Sequence, residues 1–555
     1  MMRCPQFVLR SFLPALLVAI ALPGVSWADH VAELQKAAIK DGKATVGHWG
    51  NDAENYTAWG SHSNRLIPLF TFGTRGGGGG VDLAEYVGKN SAYRNRSKIV
   101  DIYGRLPADT LNPQAEYCDQ TAVGAIQQAG FERGKKHIFL VVFDGMDWQT
   151  IQAASINRLG KVAYKSGRGS GLHFQDYNAN GSSQFGFTVT SPHNSGTKGN
   201  ADQQTVTVNP NATHGGYDTQ RGGAAPWLAG DNSWYPIGRL SKEKVSPHAY
   251  ADSASTATAM TTGVKTYNGS INVDPAGQQL RTIAHRMQAA GFAVGAVSSV
   301  PVSHATPAAA YAHNVTRGDY QDLSRDMLGL PSIAHPKKPL AGLDVVLGGG
   351  FGVIKQSDKG QGENFQPGNG YVSGKDIETI DVRNGGRYIV SLRKPKTNGR
   401  EQLQVAAATA AKNGQRLFGM YGLGGYRGHV PFQTADGDFQ PVPGRGKKAE
   451  KYSPADLSEN PTLANMTDAA LTVLSRNPKG FWLMVEAGDV DWANHDNNLD
   501  NSIGAVYSGE TAVQSITRWV EKHSNWDESL LIVTADHGHY LVLERPELLI
   551  PPKTR

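Results

Sequence analysis

The chain has 555 residues, 65 of them glycine, and its 54 Lys and Arg exceed its 49 Asp and Glu to give a formal charge of +5. This length is enough to bury a large core and by itself admits about three to four domains. The small positive surplus, with no basic stripe or tail, argues against a nucleic-acid-binding protein.

Residues 1–28 read as a signal peptide: Arg3 and Arg10 flank it, FLPALLVAIALPG from Phe12 forms a short apolar core, and Ser26-Trp27-Ala28 precedes a cleavage point before Asp29. Pro14 and Pro23 interrupt the run, which falls short of the ~20 apolar residues of a spanning helix. No later segment is long and apolar enough to span a membrane, so the mature chain is expected to be periplasmic or secreted. Removing the two arginines lowers the formal charge from +5 to +3. The cysteines are Cys4 and Cys118, and Cys4 leaves with the leader, so no intramolecular disulfide is expected.

Residues 29–136 are irregular, with a glycine run at 76–80, and are expected to form an N-terminal extension to which the sequence assigns no role. From His137 the pattern changes. HIFLVVF is a continuous apolar run of the kind found in strands buried on both faces, and a catalytic core is expected over 137–555. Residues 161–246 are rich in Gly, Asn, Ser and Thr and are expected to be a long insertion outside that core. Ser253 to Met260 is a run of small residues suited to a tightly packed helix. TIAHRMQAAGFAVGAVSSV then reads as helix, glycine turn and buried strand, an order that recurs twice before VTADHG. The alternation predicts an α/β fold: a mainly parallel central sheet covered by helices on both faces.

Active sites in such sheets gather at the C-terminal ends of the strands. Asp144 follows HIFLVVF, Glu486 follows GFWLMV, and Asp536-His537 follow LLIVTA. Three carboxylates delivered to one low-dielectric cleft repel one another unless cations hold them. Each has a plainer reading alone: Asp252 as a helix cap, Asp491 and His495 as an i, i+4 surface pair, Asp536-His537 as a turn. Their joint occurrence at successive strand ends is what favours metal binding.

The segment ADSASTATAMTTGVKTYNG closely resembles the nucleophile signature of alkaline phosphatases. FDGM around Asp144, SHATPAAAYAHNVTR, DVVLGGGF, PTLANMTDAAL, VEAGDVDWANH and VTADHGH join it in the family's order, over most of 137–540. The resemblance implies that Ser253 attacks phosphorus and becomes a phosphoserine. A serine hydroxyl is a poor nucleophile at its free pKa and needs a metal or base to activate it. By resemblance one zinc does so, held by Asp144, Asp536 and His537. A second zinc, about 3.5 to 4 Å away in a two-metal clamp, takes Asp491 and His495. A magnesium ion takes Asp144, Thr306 and Glu486, an all-oxygen set suited to a hard cation. Arg317 matches the phosphate clamp, whose fork favours a monoester dianion. His539 matches a histidine that orients the zinc ligands. His304 and Trp492 occupy positions that vary in the family: His304 brings nitrogen near the magnesium site and is expected to soften its preference, and Trp492 is expected to pack over the pocket mouth.

The implied partners are small phosphate monoesters and inorganic phosphate, with a homodimer possible because many relatives are dimers. Phosphodiesterases, sulfatases and mutases share the superfamily architecture, but Ser253 within DSASTATA together with Arg317 favours monoesters. The chain departs from the family at its end. Relatives continue past the Asp-His motif to a later strand and a histidine that completes the second zinc site, and here no histidine follows His539. Two protein ligands fall short of the three usual in catalytic zinc sites. Three explanations follow: a truncated C-terminal end with a missing sheet edge, which the tail favours; recruitment of another histidine such as His429; or a site run on one tight zinc. A degenerate, non-enzymatic metal- or phosphate-binding relative is the alternative function.

Overall fold

The computed structural model describes residue 1 and residues 29–50, 53–228, 250–425 and 427–552. The leader read at 1–28 lies, Met1 apart, outside the described residues.

The centre is a ten-stranded sheet. Its order across the sheet is Tyr388–Leu392, Arg416–Met420, Val345–Gly349, Ala293–Pro301, Phe481–Ala487, His137–Phe143, Ser529–Thr534, Ile67–Phe72, Gln184–Val189 and Cys118–Asp119. All neighbours run parallel except Ile67–Phe72, which is antiparallel to both of its partners. The mainly parallel sheet read from the alternating pattern is therefore present.

Its strands are apolar because both faces are covered. In His137–Phe143, Ile138, Leu140 and Val142 face one core, shared with the helices Thr121–Glu132, Ser253–Thr262, Ile283–Ala289 and Tyr320–Leu328. Phe139, Val141 and Phe143 face the other, shared with Trp148–Leu159, Gly399–Asn413, Leu463–Leu474 and Leu499–His523. The period of two along a strand sorts alternate residues into separate layers.

The helix Ser253–Thr262 starts where Asp252 caps it, its side chain accepting from the Ser255 amide at 3.0 Å, and ends at Gly263 with φ 76°. Its small residues permit close packing: a Cβ on Gly124 of the neighbouring helix would lie 2.7 Å from the Gly263 nitrogen. This contact holds the far end of the helix, while the Asp252 cap sits at the Ser253 end.

Two sequence expectations require correction. Residues 29–136 are not an appendage: Ile67–Phe72 is a central strand, paired with Ser529–Thr534 from Leu69↔Thr534 to Phe72↔Leu531. The stretch 161–246 is not wholly outside the core, because Gln184–Val189 extends the same sheet. Past Ser529–Thr534 the sheet continues through Ile67–Phe72, Gln184–Val189 and Cys118–Asp119. The N-terminal segment also clasps the end of the chain. Gly47–Trp49 pairs antiparallel with Leu541–Leu543, and the His30 ring hydrogen-bonds the Leu548 carbonyl at 2.7 Å through Nε2. Cys118 is buried and free.

Candidate active site

Strand ends and two short turns converge on one buried cluster. Asp144 follows His137–Phe143 directly, and Gly145 takes φ +71° so that its amide turns inward to donate to Asp536 Oδ1 at 2.9 Å. A side chain at Gly145 would also collide with the His539 ring, at 2.7 Å. Asp536 and His537 follow Ser529–Thr534. Asp144, Asp536 and His537 offer one donor atom each within 4.8 Å of one another. His537 Nε2 lies 3.3 Å from Asp144 Oδ1 and 3.5 Å from Asp536 Oδ2.

Ser253 is 2% exposed, and its Oγ sits 3.4 Å from Asp144 Oδ1 and 3.3 Å from His537 Nε2. The hydroxyl is thus held against two members of the first donor group. Arg317 is anchored by Asp252 Oδ2 at 3.1 Å from Nη1, beside the nucleophile, and its Nη2 points to His304 Nε2 at 3.4 Å.

A second group gathers Asp491 and His495, one turn apart on the helix Asp489–His495, with His539 and with His62. His62 Nε2 is 2.9 Å from His495 Nε2 and 3.7 Å from Asp491 Oδ1, and His539 Nε2 is 2.7 Å from the same oxygen. The opposite ring nitrogens face backbone carbonyls: His62 Nδ1 that of Ala251 at 2.8 Å, His495 Nδ1 that of Gly60 at 3.1 Å. Each carbonyl takes the Nδ1 proton and leaves an Nε2 lone pair, and the two lone pairs aim at one point. That is the tautomer and orientation of metal-ligating histidines.

His62 is the residue the sequence reading missed. It stands where a third ligand of the Asp491 and His495 site was sought downstream, 433 positions before His495 in the chain. The signal for it was modest: a lone histidine five residues ahead of the apolar run IPLFTF. His429 does not fill this place. Its ring is enclosed by Asp489 and Glu450, each at 2.8 Å, away from the His495 group. Burial opposes charge on His429, but these two carboxylates push it up to about 10.

Glu486 lies at the penultimate position of its strand. Its Oε2 accepts from the Ser298 hydroxyl, while Oε1 and the Thr306 hydroxyl are both buried without a partner. Burial and the nearby Asp536 charge push Glu486 up to about 8. Asp144 is driven well above the carboxylate range by burial, then by Asp536, Asp491 and Glu486. Asp491 sits well below it in spite of burial, because His495, His539 and His62 surround it. His62 is held neutral by burial and by the neighbouring imidazoles, and burial brings His495 down to about 4. Crowded carboxylates, neutral imidazoles and orphaned oxygens together describe a site whose missing charge is positive. The donors fit such a charge: two mixed nitrogen and oxygen sets suit zinc, and the Asp144, Thr306 and Glu486 oxygens suit magnesium.

Beside this cluster opens a cleft of about 710 Å³, lined among others by His304, Tyr320, Tyr371, Arg427, Trp492 and His495. Trp492 stands edge-on to the His304 ring at 5.7 Å between centroids, with the Arg427 guanidinium over it at 5.8 Å.

A family profile described as alkaline phosphatase matches residues 227–547, more than half of the chain. The chain belongs to the alkaline phosphatase family. The alkaline phosphatase of Escherichia fergusonii is 32% identical over 330 residues, which are 57% of this chain and 64% of that protein. Alkaline phosphatase H of Pseudomonas aeruginosa is 31% identical over 361 residues, covering 63% of this chain and 70% of that one. The chain thus spans less than two thirds of the length of the first of these relatives. A crystal structure of Thermus thermophilus alkaline phosphatase aligns with 20% identity and a TM-score of 0.42, over 73% of this chain and 60% of that one. His62 and Asp144 both lie ahead of the region matched by the alkaline phosphatase profile. Family membership accounts for the metal-rich site, since alkaline phosphatases are metal-dependent, and the described residues hold groups able to bind metal.

Proposed function

We propose that the protein hydrolyses phosphate monoesters through a phosphoserine at Ser253. The observation that carries the reading is the Ser253 hydroxyl 3.3 to 3.4 Å from both His537 Nε2 and Asp144 Oδ1, within a buried cluster of metal-ligating side chains. Asp144, Asp536 and His537 would hold one zinc ion. Asp491, His495 and His62 would hold another, and Asp144, Thr306 and Glu486 a magnesium ion. When bound, these cations supply the positive charge that activates the attacking oxygens and stabilises the leaving one.

The chain's own residues do the rest. Asp252 fixes Arg317 so that its free N–H groups take two non-bridging phosphate oxygens, an arrangement suited to a dianion. The helix N-terminus beneath Ser253 adds favourable potential for the same charge. The Ser253 hydroxyl gives up its proton to solvent and its Oγ forms a bond to phosphorus as the bond to the leaving oxygen breaks; the leaving alcohol takes a proton from solvent. Water then attacks phosphorus from the opposite side and releases a proton to solvent, and Ser253 Oγ departs and recovers a proton from solvent, leaving inorganic phosphate. His539 keeps Asp491 oriented, and Trp492 with His304 shapes the entrance.

Export to the periplasm or medium fits the leader read at 1–28, and no helix among the described residues is long and apolar enough to cross a membrane. Homodimer formation remains a proposal drawn from the resemblance.

The test is hydrolysis of a chromogenic phosphate monoester by metal-stripped protein with zinc and magnesium added back, alongside acid trapping of labelled phosphate on the chain. Metal-restored turnover and a trapped phosphoserine, both absent in Ser253→Ala, are expected. Metal binding without turnover would overturn the reading in favour of a binding protein.

A further inference from the structure

A second set of metal-ligating side chains lies outside the catalytic cluster and shares no residue with it. His313, Asp326 and His335 come from three separate segments: the turn after Ala305–Ala308, the helix Tyr320–Leu328, and the loop leading to Val345–Gly349. One donor atom from each lies within 4.8 Å of the others. His313 Nδ1 and His335 Nε2 are 3.0 Å apart, and His335 Nε2 is 3.7 Å from Asp326 Oδ2.

The surrounding hydrogen bonds set the ring states. His313 Nε2 faces the Leu280 carbonyl at 2.7 Å and therefore carries the proton of the neutral ring, which leaves Nδ1 as a lone pair directed at His335. Asp326 is fully buried and fixed from both sides: the Ser332 hydroxyl donates to Oδ1 at 2.5 Å and the His313 amide to Oδ2 at 2.9 Å. No arginine or lysine is paired with this carboxylate among the described residues. A backbone carbonyl on the far nitrogen of one imidazole and a hydroxyl on the carboxylate are the outer contacts that orient metal ligands.

Tetrahedral bonds of about 2.0–2.1 Å place neighbouring donors roughly 3.3 Å apart. The observed separations of 3.0 and 3.7 Å bracket that spacing. A third imidazole stands alongside: the His285 ring stacks on His313 at 5.0 Å between centroids, and its Nε2 is buried without a partner. His335 is partly exposed, which gives an ion an entry path. Lys337 and Lys338, two and three residues on, are exposed, where solvent and salt screen their charge.

We propose that His313, Asp326 and His335 form a further site for a divalent first-row transition ion, zinc by its two-imidazole, one-carboxylate donor set. The ion joins the loop that carries His335 to the helix that carries Asp326 and to the His313 turn. It touches no catalytic residue, so its role is to fix this corner of the fold.

The test is to count zinc bound to the full chain, after metal stripping and equilibration with zinc, in the wild type, His335→Ala and His335→Gln. His335 lies in a partly exposed loop, and the glutamine variant keeps the volume of the side chain. We expect one equivalent fewer in both variants, unchanged turnover at saturating zinc, and a zinc-dependent rise in Tm smaller by a few degrees than in the wild type. Equal zinc content in the wild type and in a folded His335 variant would overturn the proposal. Should both variants fail to fold, cobalt substitution of the wild type decides instead: saturating inorganic phosphate alters the visible bands of ions at the catalytic cluster only, so the proposal requires a further cobalt equivalent whose bands phosphate leaves unchanged, and its absence overturns it.

Discussion

His62 and His495 face each other through Nε2 atoms 2.9 Å apart, although 433 positions separate them in the chain. Both imidazoles donate their Nδ1 protons to backbone carbonyls, so neither has a proton to place between the facing nitrogens. A cation resolves that opposition. His62→Ala is therefore expected to lose one zinc equivalent and to lower zinc affinity at this site by about a hundredfold or more, as removal of a ligand must exceed the 10- to 100-fold cost of losing an outer-shell partner. Metal analysis and turnover at limiting zinc check it; full zinc content at limiting metal would contradict the assignment.

His429→Ala should behave in the opposite way. It leaves Asp489 buried beside Glu450 without the imidazolium that joins them, a loss of about 3–5 kcal/mol in a buried pair. Zinc content is expected to be unchanged while stability falls. Because His429 is raised to about 10, its contribution is fully present below the ordinary histidine pKa near 6.5 and is lost as pH rises through about 10. Thermal unfolding of wild type and variant should converge above that pH.

The catalytic carboxylates give the metal-free protein its own pH dependence. Glu486 is raised to about 8, and burial with its acidic neighbours raises Asp144 well above the ordinary carboxylate range, so the folded state retains protons that the unfolded chain has released. The stabilising proton binding of Glu486 is complete below the unfolded carboxylate pKa and disappears as pH rises through about 8, and Asp144 acts in the same direction. Metal-stripped protein should accordingly melt at a lower temperature at pH 9 than at pH 7, a window above the titration of the buried neutral histidines, and added zinc and magnesium should remove most of that difference. A metal-free Tm independent of pH across this range would count against the buried-carboxylate reading.

Arg317→Ala should weaken competitive inhibition by inorganic phosphate by about tenfold or more and reduce turnover, since a charge-assisted bidentate contact to the dianion is lost. Arg317→Lys should recover little, because an ammonium cannot reproduce the fork. Inhibition constants for both variants measure this directly.

The proximity of His30 and Leu548 predicts that the order of segments can be changed. A chain without residues 1–28, in which a short glycine-serine linker joins residue 552 to Asp29 and new ends open at the exposed Asp109 turn, should fold and bind the same number of zinc ions. Zinc stoichiometry and the unfolding midpoint provide the measurement.

Much of the catalytic half was legible because the strands His137–Phe143, Phe481–Ala487 and Ser529–Thr534 are unbroken apolar runs whose ends deliver Asp144, Glu486 and Asp536. The N-terminal half was not, for a physical reason. Ile67–Phe72 is a short apolar run bounded by polar and glycine-rich loops, and periodicity alone cannot reveal that it pairs with a strand more than four hundred residues away. Gln184–Val189 alternates Phe185, Phe187 and Val189 with smaller residues, yet its setting of Gly, Asn and Ser resembles a surface insertion. His62 belongs to no helix or strand and gains its position only when the sheet is assembled.

The clasp between Gly47–Trp49 and Leu541–Leu543 can form only after the later strand has been synthesised. His62 and Asp144 leave the ribosome early, whereas Glu486, Asp491, His495, Asp536 and His537 emerge among the last residues. Neither donor group can be complete on a nascent chain that stops short of these motifs, so an ion that needs all of its ligands would be acquired only after they have emerged.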